Sequence, residues 1–113
     1  MPFIDLKISV PVTDEQKEKI VEQLGKDITL MNKLPSHLMI GINDKYALWF
    51  GGKKAEKGAY VSFAGFGDVD SELSKKMSVA VNDMLTKELG LDGKQVFITY
   101  VGIHNWAWDG KNF

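Results

Sequence analysis

Apolar and polar residues alternate through Phe3–Ser9 (FIDLKIS), with Phe3 or Ile4, Leu6 and Ile8 set against Asp5 and Lys7. That two-residue period predicts a strand with one buried face, and Pro11 ends it because proline donates no ladder hydrogen bond. The period then lengthens. Ile20, Leu24, Ile28 and Met31, joined by Val21, form a stripe at helical spacing. Thr13 and Gln16 make a capping-box pair ahead of it, and Asp14 and Glu15 suit the positive end of a helix. Gly25 costs the helix roughly 1 kcal/mol against alanine, yet the stripe runs past it to a boundary at Pro35. Leu38–Ile42 (LMIGI) reads as a second strand and Asn43-Asp44-Lys45 as a turn. Tyr46–Phe50 reads as a short segment stopped by Gly51-Gly52, and Lys53–Lys57 as a polar loop.

The second half repeats this order. Ala59–Phe63 is a strand running into Ala64-Gly65-Phe66-Gly67, which reads as a loop. Asp70 or Ser71 caps a helix with apolar positions Leu73, Met77, Ala80, Val81, Met84, Leu85 and Leu89, and Gly90 stands where a C′ glycine belongs. Val96–Val101 (VFITYV) is a last strong strand, and Ile103–Trp108 adds a short edge. Two strand–helix–strand units, each with a helix long enough for a parallel crossover, predict an α+β domain spanning residues 1–113. It has one four-stranded mixed sheet with both helices on a single face, plus short edge strands. The other face lacks a cover. Phe3, Ile4, Leu6, Ile8, Met39, Val61, Phe63, Phe97 and Tyr100 supply apolar material for both faces, so the bare one is expected to bury itself against further subunits.

Composition narrows the chemistry. Of 113 residues, 44% are hydrophobic and 26% charged, the balance of a folded single domain rather than a disordered chain. Fourteen basic residues against fifteen acidic give a net charge of -1, so no positive field gathers nucleic acid. There is no cysteine, which excludes disulfides, thiol nucleophiles and thiolate metal sites. No apolar run reaches the ~20 residues that span a bilayer, and the first residues lack the pattern of a signal peptide. The expected location is the cytoplasm.

The chemistry must then come from another group, and Met1-Pro2 offers one. Initiator methionine is normally trimmed before proline, which would leave a secondary amine at the head of the first strand. An α-amino group titrates near ~7.7–8, and burial or a nearby cation lowers that value. A base poised near neutrality suits proton abstraction beside a carbonyl. Read alone, Met-Pro is an ordinary start. Lys33, read alone, is a solvated lysine at a helix C-terminus, where the dipole favours it.

The stretches PFIDLKISVP, MNKLPSHLMI, WFGGKKAEKGAYVSFAGFGDVD, LTKELG and QVFITYVGIHNWAWDGKNF occur in this order along the whole chain. Together they resemble the macrophage migration inhibitory factor/D-dopachrome tautomerase family of the tautomerase superfamily. The resemblance implies a homotrimer whose three sheets wrap into a barrel-like core with the helices outside. It implies keto–enol tautomerisation of a phenylpyruvate-like 2-oxo acid, without a cofactor, with Pro2 as acid and base. Lys33 matches the family lysine that binds the substrate carboxylate and depresses the Pro2 pKa. Phe66 stands where a backbone N–H helps hold that carboxylate, and Gly65 where the family places a serine. Phe97 replaces a pocket tyrosine, and Thr99 an asparagine. Phe3, Trp106, Trp108 and Phe113 are expected to complete an aromatic pocket at the subunit boundary; each is equally suited to core or trimer packing.

The resemblance carries a second reading: a cytokine-like protein that engages a host receptor, with weak or vestigial tautomerase activity and release from cells without a signal peptide. Branches of the superfamily that bind carboxylate through arginine are disfavoured, because every basic residue here is lysine. His37 and His104 stand alone in the sequence, and no metal site is expected.

Overall fold

The computed structural model describes residues Met1–Phe113. Strand β1 (Pro2–Ile8) leads to helix α1 (Asp14–Asp27), whose N-terminus is closed by the reciprocal Thr13–Gln16 capping box. Such a cap contributes about 1 kcal/mol. The apolar stripe does not stay α-helical to Met31: Ile28–Met31 tighten into a 3₁₀ turn, which ends at Asn32 in the left-handed region (φ 56°). A second 3₁₀ turn at Pro35–His37 delivers β2 (Met39–Asn43). The expected polar loop at Lys53–Lys57 instead begins with a strand: β3 (Trp49–Phe50) and β4 (Lys53–Lys54) pair as a small antiparallel hairpin.

Strand β5 (Ala59–Phe66) runs three residues further than its apolar alternation suggests. Ala64, Gly65 and Phe66 are therefore strand and not loop, because β1 on one side and the last long strand on the other hydrogen-bond them in register. Helix α2 (Ser71–Leu89) follows, capped by Asp70, whose carboxylate accepts from the Glu72 and Leu73 amides. Gly90 (φ 65°) closes its other end. Strand β6 (Val96–Ile103) completes the sheet. The expected edge at Ile103–Trp108 is a separate hairpin, β7 (Ala107–Trp108) with β8 (Lys111–Asn112).

The main sheet has the order β2-β1-β5-β6. β1 and β2 are parallel, β5 and β6 are parallel, and β1 and β5 meet antiparallel down the middle. This is the mixed α+β arrangement of two βαβ units. Ile4, Leu6 and Ile8 from β1 and Val61 and Phe63 from β5 pack with Ile20, Leu24, Ile28, Met77, Val81 and Leu85, all buried. Each such side chain stabilises the fold by roughly 1.5–3 kcal/mol. Tyr100 joins this layer from β6, where its hydroxyl lies 2.7 Å from Ser78 Oγ and burial pushes the phenol pKa up.

The opposite face differs from expectation. Six of the nine residues named for both faces (Ile4, Leu6, Ile8, Val61, Phe63 and Tyr100) turn to the helices. Phe3, Met39 and Phe97 remain, together with polar side chains. Reading across the strands, Gly41, Asp5, Ser62 and Thr99 form one row, and Asn43, Lys7, Tyr60 and Phe97 the next. Lys7 Nζ donates to Asp5 Oδ2 at 2.9 Å, and the Tyr60 and Thr99 hydroxyls are 2.9 Å apart. The bare face is thus a polar, hydrogen-bonded centre with aromatic ends. Strict alternation puts one set of residues on each side: the larger aliphatic set faces the helices, while Met39, Phe3, Ala64 and Val101 form an apolar row on the bare face.

One buried group is poorly served. Asp27, the last residue of α1, is 8% exposed; Gln23 donates to its Oδ1 at 2.9 Å, while Oδ2 has no partner. A carboxylate at the negative end of a helix dipole, with one oxygen unpaired, opposes folding. Asp27→Asn is expected to raise the urea midpoint, stabilising by about 1 kcal/mol. An unchanged or lower midpoint would show that the carboxylate is compensated.

Candidate functional site

The antiparallel register sets Pro2 opposite Gly65, and Pro2 is almost fully buried. One step further out, the Phe66 N–H donates to the Met1 carbonyl at 3.0 Å. On the other side of this strand end lies Lys33. The left-handed backbone at Asn32, which asparagine tolerates well, turns the chain out of its 3₁₀ segment and aims Lys33 back at the sheet. Lys33 Nζ donates to the Phe66 carbonyl at 2.9 Å. A Cβ at Gly65 would meet Lys33 Cε at an ordinary 3.6 Å but the Phe63 ring edge at 3.0 Å, so a side chain there would press on the ring.

These contacts gather an amine, an ammonium and a strand-end amide in one place. Burial pulls the N-terminal ammonium of Met1 below its ordinary 8.0, and repulsion from Lys33 lowers it further. Beside Lys33 and Gly65 opens a recess of about 280 Å³, also lined by Met31, Asn32, Phe63, Asp68, Val69, Asp70 and Leu73. A larger cleft of about 480 Å³ lies between the two helices, among Lys19, Glu22, Asp27, Asp83 and Lys87, away from Pro2. No cluster of His, Asp or Glu is arranged to hold a metal ion.

The aromatic residues divide. Phe113 reaches the site, its ring 5.2 Å from that of Phe66 at 77°. Trp106 is held in the same terminal hairpin, its carbonyl accepting from the Phe113 N–H at 3.0 Å. Phe3 does not face the recess: alternation turns it to the bare face, where its ring covers Gly41. Phe97 lies opposite Tyr60, five positions along β5 from Gly65, roughly 17 Å at strand spacing. It stacks edge-on with Phe50 at 5.5 Å and is 59% exposed, so within one chain it does not meet Pro2. Two residues that look isolated in the sequence gain partners: the His37 ring sits 5.3 Å from that of Trp108, and His104 Nε2 lies 2.9 Å from Asp68 Oδ1.

The model of the family "Macrophage migration inhibitory factor (MIF)" matches residues 1–113. The chain belongs to that family. Among solved structures, MIF2 of Leishmania major is 25% identical and superposes with a TM-score of 0.91, covering 100% of this chain and 97% of that one. The macrophage migration inhibitory factor of Toxoplasma gondii is 20% identical, with a TM-score of 0.87 over 98% of this chain and 99% of that one. A fused 4-OT protein, described as an asymmetric trimer, shares the fold at 11% identity and a TM-score of 0.85 over 97% and 94%. No curated protein is a significant match. No helix is long and apolar enough to cross a membrane. The family match supports a MIF-like role, and the likeness to the fused 4-OT protein is one of fold.

The Met1–Phe66 hydrogen bond has a measurable counterpart. In a chain starting at Pro2 the Phe66 N–H loses its carbonyl partner, so its amide hydrogen is expected to exchange about tenfold faster or more, since a bond of ~1.4 kcal/mol corresponds to tenfold. Two-dimensional NMR of the Met1 and Pro2 forms makes the comparison; equal exchange would mean that the amide is protected by something other than Met1.

Proposed function

We propose that the protein is a cofactor-independent keto–enol tautomerase acting on phenylpyruvate-like 2-oxo acids, with the Pro2 amine as its acid and base once Met1 is removed. The observation that carries this reading is the juxtaposition of a buried N-terminal proline with the Lys33 ammonium across Gly65. Burial and Lys33 both lower the pKa of the Met1 amine. Removal of Met1 transfers the free amine to Pro2, one residue further into the strand, where the same two causes favour the neutral base with its lone pair free.

The proton bookkeeping closes on Pro2 alone. Its nitrogen takes a proton from the carbon beside the substrate's carbonyl, electrons move onto the carbonyl oxygen, and the prolinium returns the proton to that oxygen to give the enol. The reverse sequence gives the ketone. Lys33 Nζ holds the substrate carboxylate and opposes the negative charge that develops on the enolate. The Phe66 N–H, released from Met1, is a second donor for the carboxylate. Gly65 adds none, which leaves a two-donor grip. Phe66, Phe113 and Trp106 offer apolar surface to the aryl ring.

The same reading includes a homotrimer. The polar bare face with Phe3 and Phe97 at its ends, and the exposed Phe50–Phe97 pair, are surfaces a partner subunit would cover. Only another copy brings Phe97 near Pro2. Sedimentation is expected to give three times the chain mass; a monomer at micromolar concentration would overturn this part.

Ketonisation of phenylpyruvate enol, followed by ultraviolet absorbance, tests the chemistry. Pro2→Gly is expected to lose about 100-fold in kcat/KM, the lower range for a general acid–base residue. Full activity in Pro2→Gly, or in protein whose mass retains Met1, would sink the mechanism. The wild-type rate should rise with pH through the amine's lowered pKa and level off, because the neutral amine is the base. Lys33→Gln removes a like charge, so that limb should move to higher pH while KM rises. Turnover at background level in all forms, with saturable binding to a receptor, would instead favour the cytokine-like reading.

A further inference from the structure

Beyond the amine and the lysine, the terminal segment is fastened to the body of the fold by the chain's two histidines. Residues 104–113 form a hairpin that closes on itself: the Phe113 N–H donates to the Trp106 carbonyl at 3.0 Å, and Asn112 Nδ2 donates to Asn105 Oδ1 at 2.8 Å. Three contacts tie it down. His104 Nε2 meets Asp68 Oδ1 at 2.9 Å, the Phe113 ring meets Phe66 at 5.2 Å, and the Trp108 ring meets His37 at 5.3 Å and 58°. His37 closes the turn that begins just after Lys33, and Phe66 is the residue whose carbonyl Lys33 holds. The two ring contacts therefore grip the two backbone segments that carry the site's donors.

We infer that His37 is a positioning residue: through Trp108 it holds the terminal hairpin over the mouth of the Pro2 site, and it holds it more tightly when protonated. Histidine is the side chain whose ordinary titration falls between pH 5 and 8. An imidazolium beside an indole gains a cation–π attraction that the neutral ring lacks. The charged groups on the elements that meet here are Lys33 ahead of the turn, Asp109 and Lys111 on the hairpin, and the terminal carboxylate of Phe113. None pairs with His37, whose ring is absent from the chain's ion pairs. Its partner is thus the indole, and protonation changes that one contact. His104 acts in the same direction, since its bond to Asp68 becomes charge-assisted on protonation, but both side chains are largely exposed (72% and 93%), so screening leaves it the weaker tie.

This inference rests on the tautomerase reading for its kinetic consequence, and not for its spectroscopic one. An imidazolium quenches indole emission, so tryptophan fluorescence should be lower at about pH 5.5 than at about pH 7.5. The fall should vanish in His37→Phe, which keeps an aromatic ring against Trp108 but cannot titrate, and in Trp108→Phe. It should persist in His104→Gln. Kinetically, KM for phenylpyruvate in the wild type should fall about two- to fivefold from pH 7.5 to 5.5 relative to His37→Phe. Titration of Pro2 affects both proteins alike and cancels in that ratio, and kcat should show no matching difference. An emission titration unchanged in a folded His37→Phe, or a KM ratio flat with pH, overturns the inference. Loss of turnover in every form with the titration intact overturns the tautomerase reading and leaves the contact standing; normal turnover without the titration does the reverse.

Discussion

The antiparallel pairing of β1 with β5 is the contact on which the rest of the molecule depends. Each βαβ unit pairs its own strands in parallel, and only the seven positions from Pro2–Gly65 to Ile8–Ala59 join the halves into one sheet. That seam places Ile4, Leu6 and Ile8 beside Val61 and Phe63, so both helices close over a continuous apolar floor. It also fixes the site, because its first position is Pro2 against Gly65. A slip of one residue would turn the apolar set outward and move Pro2 off the glycine, whose missing side chain leaves the Phe63 ring its room. Core and site are consequently specified by the same register.

Electrostatics at the strand end follow from this geometry. The amine is buried by the strand that carries it, and Lys33 is held near by its bond to the Phe66 carbonyl. Burial lowers the pKa of the Met1 amine, and repulsion from Lys33 lowers it further. The opposite arrangement holds on the bare face, where Lys7 has Asp5 as partner and its pKa is raised by that hydrogen bond. Two lysines near the same sheet thus play opposite parts, one paired and one left to repel.

Much of this was legible in the residues. Periodicity located both helices, the four long strands and the caps at Thr13, Asp70 and Gly90, because those features obey local rules. The end of β5 was not legible: Ala64-Gly65-Phe66-Gly67 looks like a loop by composition, and only pairing with β1 and β6, a non-local contact, keeps it extended. The polar part of the bare face was not legible for a related reason. Tyr60, Ser62 and Thr99 seem incidental polar residues until cross-strand register aligns them with Asp5 and Lys7. Pro2, Lys33 and the Phe66 backbone meet at one strand end, while Phe3 and Phe97 lie on the bare face of the sheet within one chain. His37 and Trp108 are 71 residues apart in numbering, and nothing local announces that they touch.

The central seam also orders events during synthesis. Pro2 is among the first residues made, yet the strand that buries it ends more than sixty residues later, at Phe66. A ribosome adds about 5–20 residues per second, so the amino terminus is exposed for several seconds before β5 emerges to cover it. After that the Met1 carbonyl is tied to the Phe66 amide and the peptide bond behind it lies at a buried residue. An aminopeptidase that trims this chain works best in the earlier interval, while the first strand has no antiparallel neighbour. Slower elongation between the two strands would widen that interval, and a fast-closing variant of the seam would narrow it. On the proposed mechanism, the fraction of molecules carrying a free proline would follow from a race between a hydrolase and the closure of a sheet.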